Sequence, residues 1–291
     1  MDGRDKPGHD KGRKRVQFVA AAAHRDRTFA ANRANGRIAL AVAAADGVTR
    51  RQRVQEAGSL RVRFPNVTDD ALEAVIVNTG GGMTGGDRFS IALDVGAGAH
   101  LVAGTTAAEK IYRSTGADTS LDVTLSVAAG GRLAWLPQET ILFDRARLAR
   151  RIDIDLAEGA SLLMAEAIVF GRAAMGERVN EGFWSDRWRL RRGGRLVFAE
   201  NVRLDGTVAD KLTAPAVANG AIALATVLVA PGDEAALAAV RALDFRGEVG
   251  ISAWNGIAVA RLVAHDGAML RHDLIALLAA LGQSVPRLWL Q

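Results

Sequence analysis

The chain has 291 residues, no cysteine, five histidines and a formal charge of +5. This composition excludes disulfides and thiolate metal sites, leaving oxygen or imidazole ligands for any metal. At 49% hydrophobic and 24% charged residues it has the balance of a globular protein with ample material for a core.

Residues 1–37 hold ten Lys or Arg against four Asp, so the positive excess is local and the rest of the chain is close to neutral. That is not the charge distribution of a nucleic-acid binder. Charge, Gly and Pro without a hydrophobic period predict a disordered basic extension over residues 1–35. Lys11–Arg15 followed by Val16–Ala23 has the outline of an export signal. Its apolar part is short, contains Gln17, and runs straight into Arg25 and Arg27. No later stretch reaches about 18 unbroken apolar residues, so no helical membrane span is expected.

A single domain is predicted over 36–291, with a β body over 36–230 and a helix-containing part over 231–291. Arg37–Val42 reads as a strand, and Arg50–Glu56 as a polar, exposed segment. Leu60–Phe64 alternates, placing Leu60, Val62 and Phe64 inward and Arg61 and Arg63 in water.

Next comes Asn78-Thr-Gly-Gly-Gly-Met-Thr-Gly-Gly-Asp-Arg88, with the apolar Val75–Val77 before it and the alternating Phe89–Val95 after it. Glycines at this density let the backbone adopt conformations a Cβ forbids, or pass close to another segment. Gly80 and Gly85 have the spacing of a phosphate-binding loop, but Gly86-Asp87 stand where Lys and Ser or Thr are needed. A structural crossing or a partner-binding loop fits better. A polar segment, Thr105–Ser114, follows shortly.

A pattern then recurs: apolar, two residues, Gly, small, one residue, Leu. It spans Val95–Leu101, Val127–Leu133, Leu156–Leu162 and Leu190–Leu196, with a weaker copy at Ala264–Leu270. Each copy is expected to join two alternating strands through a tight turn. Strand pairs recurring about every 30 residues predict stacked units around a continuous core. The expected fold is mainly β, an elongated β-helix-like or layered body with two helices toward the C-terminus. A meander of hairpins sharing one turn type is the alternative. The helices are predicted at Glu234–Leu243, capped by Asp233 or Gly232, and at Leu270–Leu281. Residues 205–220 read as a loop between the two parts.

No histidines pair at metal-ligand spacing, and no nucleophile has an evident base. Carboxylates near turns are the recurrent reactive type: Asp87, Glu109, Glu139, Asp144, Glu166 and Glu177. Glu166 stands inside the apolar run Leu162–Phe170. It must be paired, line a polar cavity or have a shifted pKa. Arg172 and Glu177 are its expected partners.

Four segments, Asn78–Arg88, Thr105–Ser114, Leu136–Asp144 and Gly171–Glu177, resemble in order and spacing the urease accessory protein family UreD, also called UreH. The resemblance runs from about Gly36 to the C-terminus. It implies a β-rich scaffold and metallochaperone rather than a catalyst, cytoplasmic, with no nucleic acid or membrane partner. Its implied partners are the helical UreF, the GTPase UreG and apo-urease. The cargo it implies is nickel, delivered to the active-site lysine carbamate through an internal passage. No tightly bound cofactor is implied. Sparse oxygen ligands suit transient passage of nickel better than a Cys or His cage. Glu166, Glu139, Glu177 and Asp87 are on these grounds the expected lining of a passage, and the last helix, with Trp289 exposed beside it, the expected surface for UreF. Two other classes remain open. One is a carbohydrate-active β-helix enzyme using paired carboxylates such as Glu139 and Asp144. The other is a nucleic-acid binder using Arg187–Arg195 and the basic extension.

Overall fold

The computed structural model describes residues 33–65, 71–172 and 175–290. The extension predicted over residues 1–35 lies outside them up to residue 32. The first strand already begins at Asn35.

In chain order the strands are β1 (Asn35–Ala45), β2 (Val48–Gly58), β3 (Leu60–Arg63), β4 (Leu72–Asn78), β5 (Arg88–Val95), β6 (His100–Thr105), β7 (Glu109–Ile111), β8 (Thr119–Val127) and β9 (Arg132–Leu136). They continue as β10 (Thr140–Leu142), β11 (Arg147–Leu156), β12 (Ser161–Phe170), β13 (Glu181–Arg192), β14 (Arg195–Thr207), β15 (Ala223–Ala230), β16 (Glu248–Trp254) and β17 (Ile257–Ala264). The helices are α1 (Val208–Thr213), α2 (Glu234–Arg241) and α3 (Gly267–Ala280), followed by a 3-10 turn over Arg287–Leu290. One sheet has the order β14-β13-β11-β8-β5-β1-β2. The other runs β16-β17-β15-β12-β9-β6-β4-β3, with β10 and β7 extending it beside β12.

The repeated pattern is one rung of a β-solenoid. In its first three copies the chain crosses from the first sheet to the second: β5 to β6, β8 to β9, β11 to β12. Successive rungs pair in parallel. Val95, Val127 and Leu156 stand side by side in one sheet, and Leu101, Leu133 and Leu162 in the other. The apolar ends of the pattern therefore form two buried ladders. At each crossing a glycine takes a left-handed conformation, with φ of 66° at Gly98, 68° at Gly130 and 75° at Gly159. An L side chain rarely adopts this conformation.

The other two copies are realised differently. Leu190–Leu196 is a hairpin within one sheet, because β13 pairs antiparallel with β14. Ala264–Leu270 joins β17 to α3. The same local pattern thus serves a sheet crossing, a hairpin and a strand–helix junction, and the pairing partner decides which.

Two apolar cores result. The larger lies between the sheets, built from the inward-facing ladders. The smaller lies on the outer face of the second sheet, covered by Val240 of α2 and by Leu270, Leu274, Leu277 and Leu278 of α3. The central strand β12 is therefore covered on both faces, which explains an apolar run broken only by Glu166 between Leu162 and Phe170.

Both predicted helices form, over Glu234–Arg241 and Gly267–Ala280, and Asp233 and Asp266 cap them by accepting hydrogen bonds from Ala236 N and Met269 N. Two expectations are corrected. Residues 205–220 are not all loop: β14 runs to Thr207, and α1 follows with Val208 and Leu212 buried against the main core. Trp289 is buried rather than exposed, because its indole packs in the smaller core and donates to Leu136 O at 3.1 Å.

Candidate functional site

The four segments singled out in the sequence meet on one side of the solenoid. The rungs β6–β7 and β9–β10 are each interrupted, at residues 106–108 and 137–139. Pro137 has no N–H for the ladder, so pairing breaks there. Gln138 repairs the gap. Its backbone N–H donates to Thr105 Oγ1 at 2.9 Å and its side-chain amide to Thr106 O at 2.9 Å.

The glycine-rich loop lies along β7. Met83 pairs with Ile111, its N–H donating to Lys110 O at 2.7 Å and its carbonyl accepting from Tyr112 N at 2.8 Å. Gly85 passes so close to the second segment that a Cβ there would stand 1.8 Å from Ser114 Oγ. Asn78 closes the loop from the other end. Its Nδ2 donates to Glu109 Oε1 at 3.0 Å, and its Oδ1 accepts from Gly80 N at 3.0 Å. Burial pushes the half-buried Glu109 carboxyl up to about 7, against the Asn78 hydrogen bond, which lowers it.

The fourth segment joins through Gly171 N, which donates to Leu142 O at 2.8 Å. Arg172 lies over the Phe143 ring at 4.2 Å, and Tyr112 meets that ring edge-on at 5.0 Å. Tyr112 and Met175 are large apolar side chains left exposed.

The four carboxylates expected to act together are held separately. Asp87 is buried in the glycine loop, accepting from Ala34 N at 2.9 Å and Thr84 N at 2.8 Å. Glu139 accepts from Arg271 Nε at 2.8 Å and Nη2 at 2.6 Å. Glu177 pairs with Arg172 at 2.6 Å.

Glu166 lies deepest. Alternation along β12 points Leu162, Met164, Glu166, Ile168 and Phe170 between the sheets. Two other strands bring charge to the same place: Arg150 of β11 and Asp186 of β13, which face each other in register. Arg150 donates through Nη1 to Glu166 and through Nε to Asp186 at 3.0 Å, with Nη2 also on Asp186. Indole N–H groups complete the network, Trp135 to Glu166 at 2.7 Å and Trp188 to Asp186 at 2.8 Å. The partner of Glu166 is therefore Arg150, not the expected Arg172 or Glu177. The latter two lie beyond the end of β12, in the connection to β13, where they pair with each other. One cation faces two carboxylates here, and burial pushes the Glu166 carboxyl upward, opposed first by Arg150. The network borders a cavity of about 30 Å³, also lined by Trp184 and Thr226.

Residues 34–290 match the family described as UreD urease accessory protein. The chain belongs to the UreD urease accessory protein family. It is 56% identical over 280 residues to the urease accessory protein UreD of Rhodopseudomonas palustris strain BisA53, covering 96% of this chain and 98% of that relative. It is 59% identical over 265 residues to the UreD of R. palustris strain HaA2, covering 90% and 95%. It is 57% identical over 265 residues to UreD 3 of Bradyrhizobium sp. strain BTAi1, again covering 90% and 95%. The UreD match contains all four segments.

The rival features have structural assignments beside this UreD framework. Asp144 does not pair with Glu139; it accepts from Asn180 N at 2.7 Å and Glu181 N at 3.2 Å. In the arginine-rich β13, Arg187 pairs with Asp153 at 3.2 Å, and Arg189 donates to the carbonyls of Trp188 and Glu200. Among the described residues, no three His, Cys, Asp or Glu side chains form a group able to hold a metal ion. No described helix is long and apolar enough to cross a membrane.

Arg150, Asp186 and Arg271 were not among the expected site residues. The first two carried a signal, since each occupies an inward position in an alternating strand. Arg271 had none, because its contact with Glu139 joins segments 132 positions apart.

Proposed function

We propose that this chain is a non-catalytic scaffold of urease maturation in the cytoplasm. It works with UreF and UreG, docks on apo-urease and assists nickel insertion. The observation that carries this reading is the UreD family match across residues 34–290. The packing of the four segments into one rigid surface supports it, as expected of a protein whose work is to hold others in register. Tyr112 and Met175 on that surface are exposed apolar groups of the kind a partner covers.

Nickel is cargo in this reading. The chain has no thiolate to trap the ion. Glu166, Glu139, Glu177 and Asp87 are its candidate transient ligands, and at each the ion competes with a donor already in place. Glu177, paired with the exposed Arg172, is the most open to exchange. At limiting nickel, Glu177→Ala is expected to slow urease activation; full activation by both Glu177→Ala and Glu139→Ala would remove carboxylate handling from the proposal.

The scaffold reading is tested by co-expressing this chain with UreF, UreG and apo-urease and purifying through a tag on this chain. Recovery of all partners in one complex is expected. Recovery of the chain alone, with its partners soluble but unbound, would contradict it.

A further inference from the structure

We propose that the cleft beside the glycine-rich loop docks an acidic peptide segment of a partner protein, read by Arg33, Arg88 and Arg113. The three side chains line an open cleft of about 740 Å³, and none of its lining residues is acidic. They come from three places in the chain: the approach to β1, the start of β5 and the residue after Tyr112.

The nearest carboxylates are turned to other work. Asp87 spends both oxygens on Ala34 N and Thr84 N, and Asp118 pairs with Arg147 at 2.7 Å. Among the described residues, none of the three guanidinium groups has an ion-pair partner. The cleft is also built rather than incidental. Arg33 lies across Gly86, whose φ of 92° and missing side chain let the arginine stem pack on the backbone. Gly85 is pressed against Ser114, which donates to Ala117 O at 2.5 Å and accepts from Gly116 N at 3.1 Å.

Size decides between a small oxyanion and a peptide. One phosphate would fill only a small part of 740 Å³ and leave most of the cleft to solvent. A single exposed ion pair is weak, so useful affinity requires several carboxylates on one segment. Guanidinium groups also match carboxylates geometrically, two N–H to two oxygens.

This inference rests on the reading of the chain as an assembly factor, but its test needs only the purified full chain. A fluorescent hexaglutamate peptide is titrated into the wild type, into R33Q/R88Q/R113Q, and into R50Q/R51Q/R53Q, which removes the same charge from β2. Circular dichroism and melting check that the variants fold, and single R113Q serves if the triple does not. We expect saturable binding, weakened about tenfold or more by the cleft triple and unchanged by the β2 triple. Equal weakening by both triples would overturn the cleft as the site. Displacement by inorganic phosphate, beyond that by sodium chloride at equal ionic strength, would overturn the peptide in favour of a small oxyanion. Complex formation with the urease partners is scored separately, so loss of either reading is distinguishable.

Discussion

Arg271 on α3 grips the Glu139 carboxylate with two hydrogen bonds, at 2.8 and 2.6 Å. The same guanidinium reaches Gln138 Oε1 at 3.0 Å and Trp289 O at 3.1 Å. One side chain thus ties the last helix and the C-terminal turn to the break in the β9–β10 rung.

Arg271→Ala should therefore loosen the C-terminus and leave Glu139, 7% exposed, without its cation. A loss of about 2 kcal/mol is expected in urea unfolding, in the range for hydrogen bonds to charged groups. Adding Glu139→Gln to that variant should recover part of the loss, because a neutral amide tolerates burial better than an unpaired carboxylate.

The Arg150–Glu166–Asp186 network should respond asymmetrically. Arg150→Met strands two carboxylates between the sheets and should cost about 3–5 kcal/mol. Replacing all three with Met or Leu should cost less than that single change, because no unpaired charge remains. Equal losses in the two variants would mean that the ionic network is not what the single change disrupts.

Glu109 predicts a pH dependence. Its carboxyl is pushed up to about 7 in the folded chain, from 4.5. The folded state then binds its proton more tightly, so this group's contribution to stability falls as pH rises from about 4.5 to about 7 and is level above. Glu109→Gln keeps an oxygen for Asn78 and cannot ionise. The variant should therefore gain stability relative to the wild type as pH rises from about 4.5 to about 7, by an amount that partial exposure reduces. Parallel melting curves across that window would contradict the assignment.

Gly85→Ala should destabilise by about 1–3 kcal/mol, since its Cβ meets both Ser114 Oγ and, at 2.4 Å, Ala117 O. Adding Ser114→Ala should recover only part, because the backbone carbonyl stays.

Much of this fold was legible. The Gly-small-x-Leu spacing marks the rungs, since a solenoid needs the same crossing chemistry at each turn. Its fourth and fifth copies misled because a local pattern does not specify whether the next strand pairs across sheets or doubles back. Glu166 stood out by being charged in an apolar run. Its partners are not its neighbours in sequence: parallel pairing of β11 and β13 brings Arg150 and Asp186 together. Trp289 and Arg271 were opaque for a similar reason: their hydrogen bonds to Leu136 and Glu139 join segments 153 and 132 positions apart.

The most direct test of the central claim is urease activity in cells that express urease, UreF and UreG with nickel but lack their own UreD, with and without this chain. Restored activity that depends on this chain, at unchanged amounts of urease protein, is predicted. Activity equally low with and without it, while the chain is folded and abundant, would contradict a role in urease maturation.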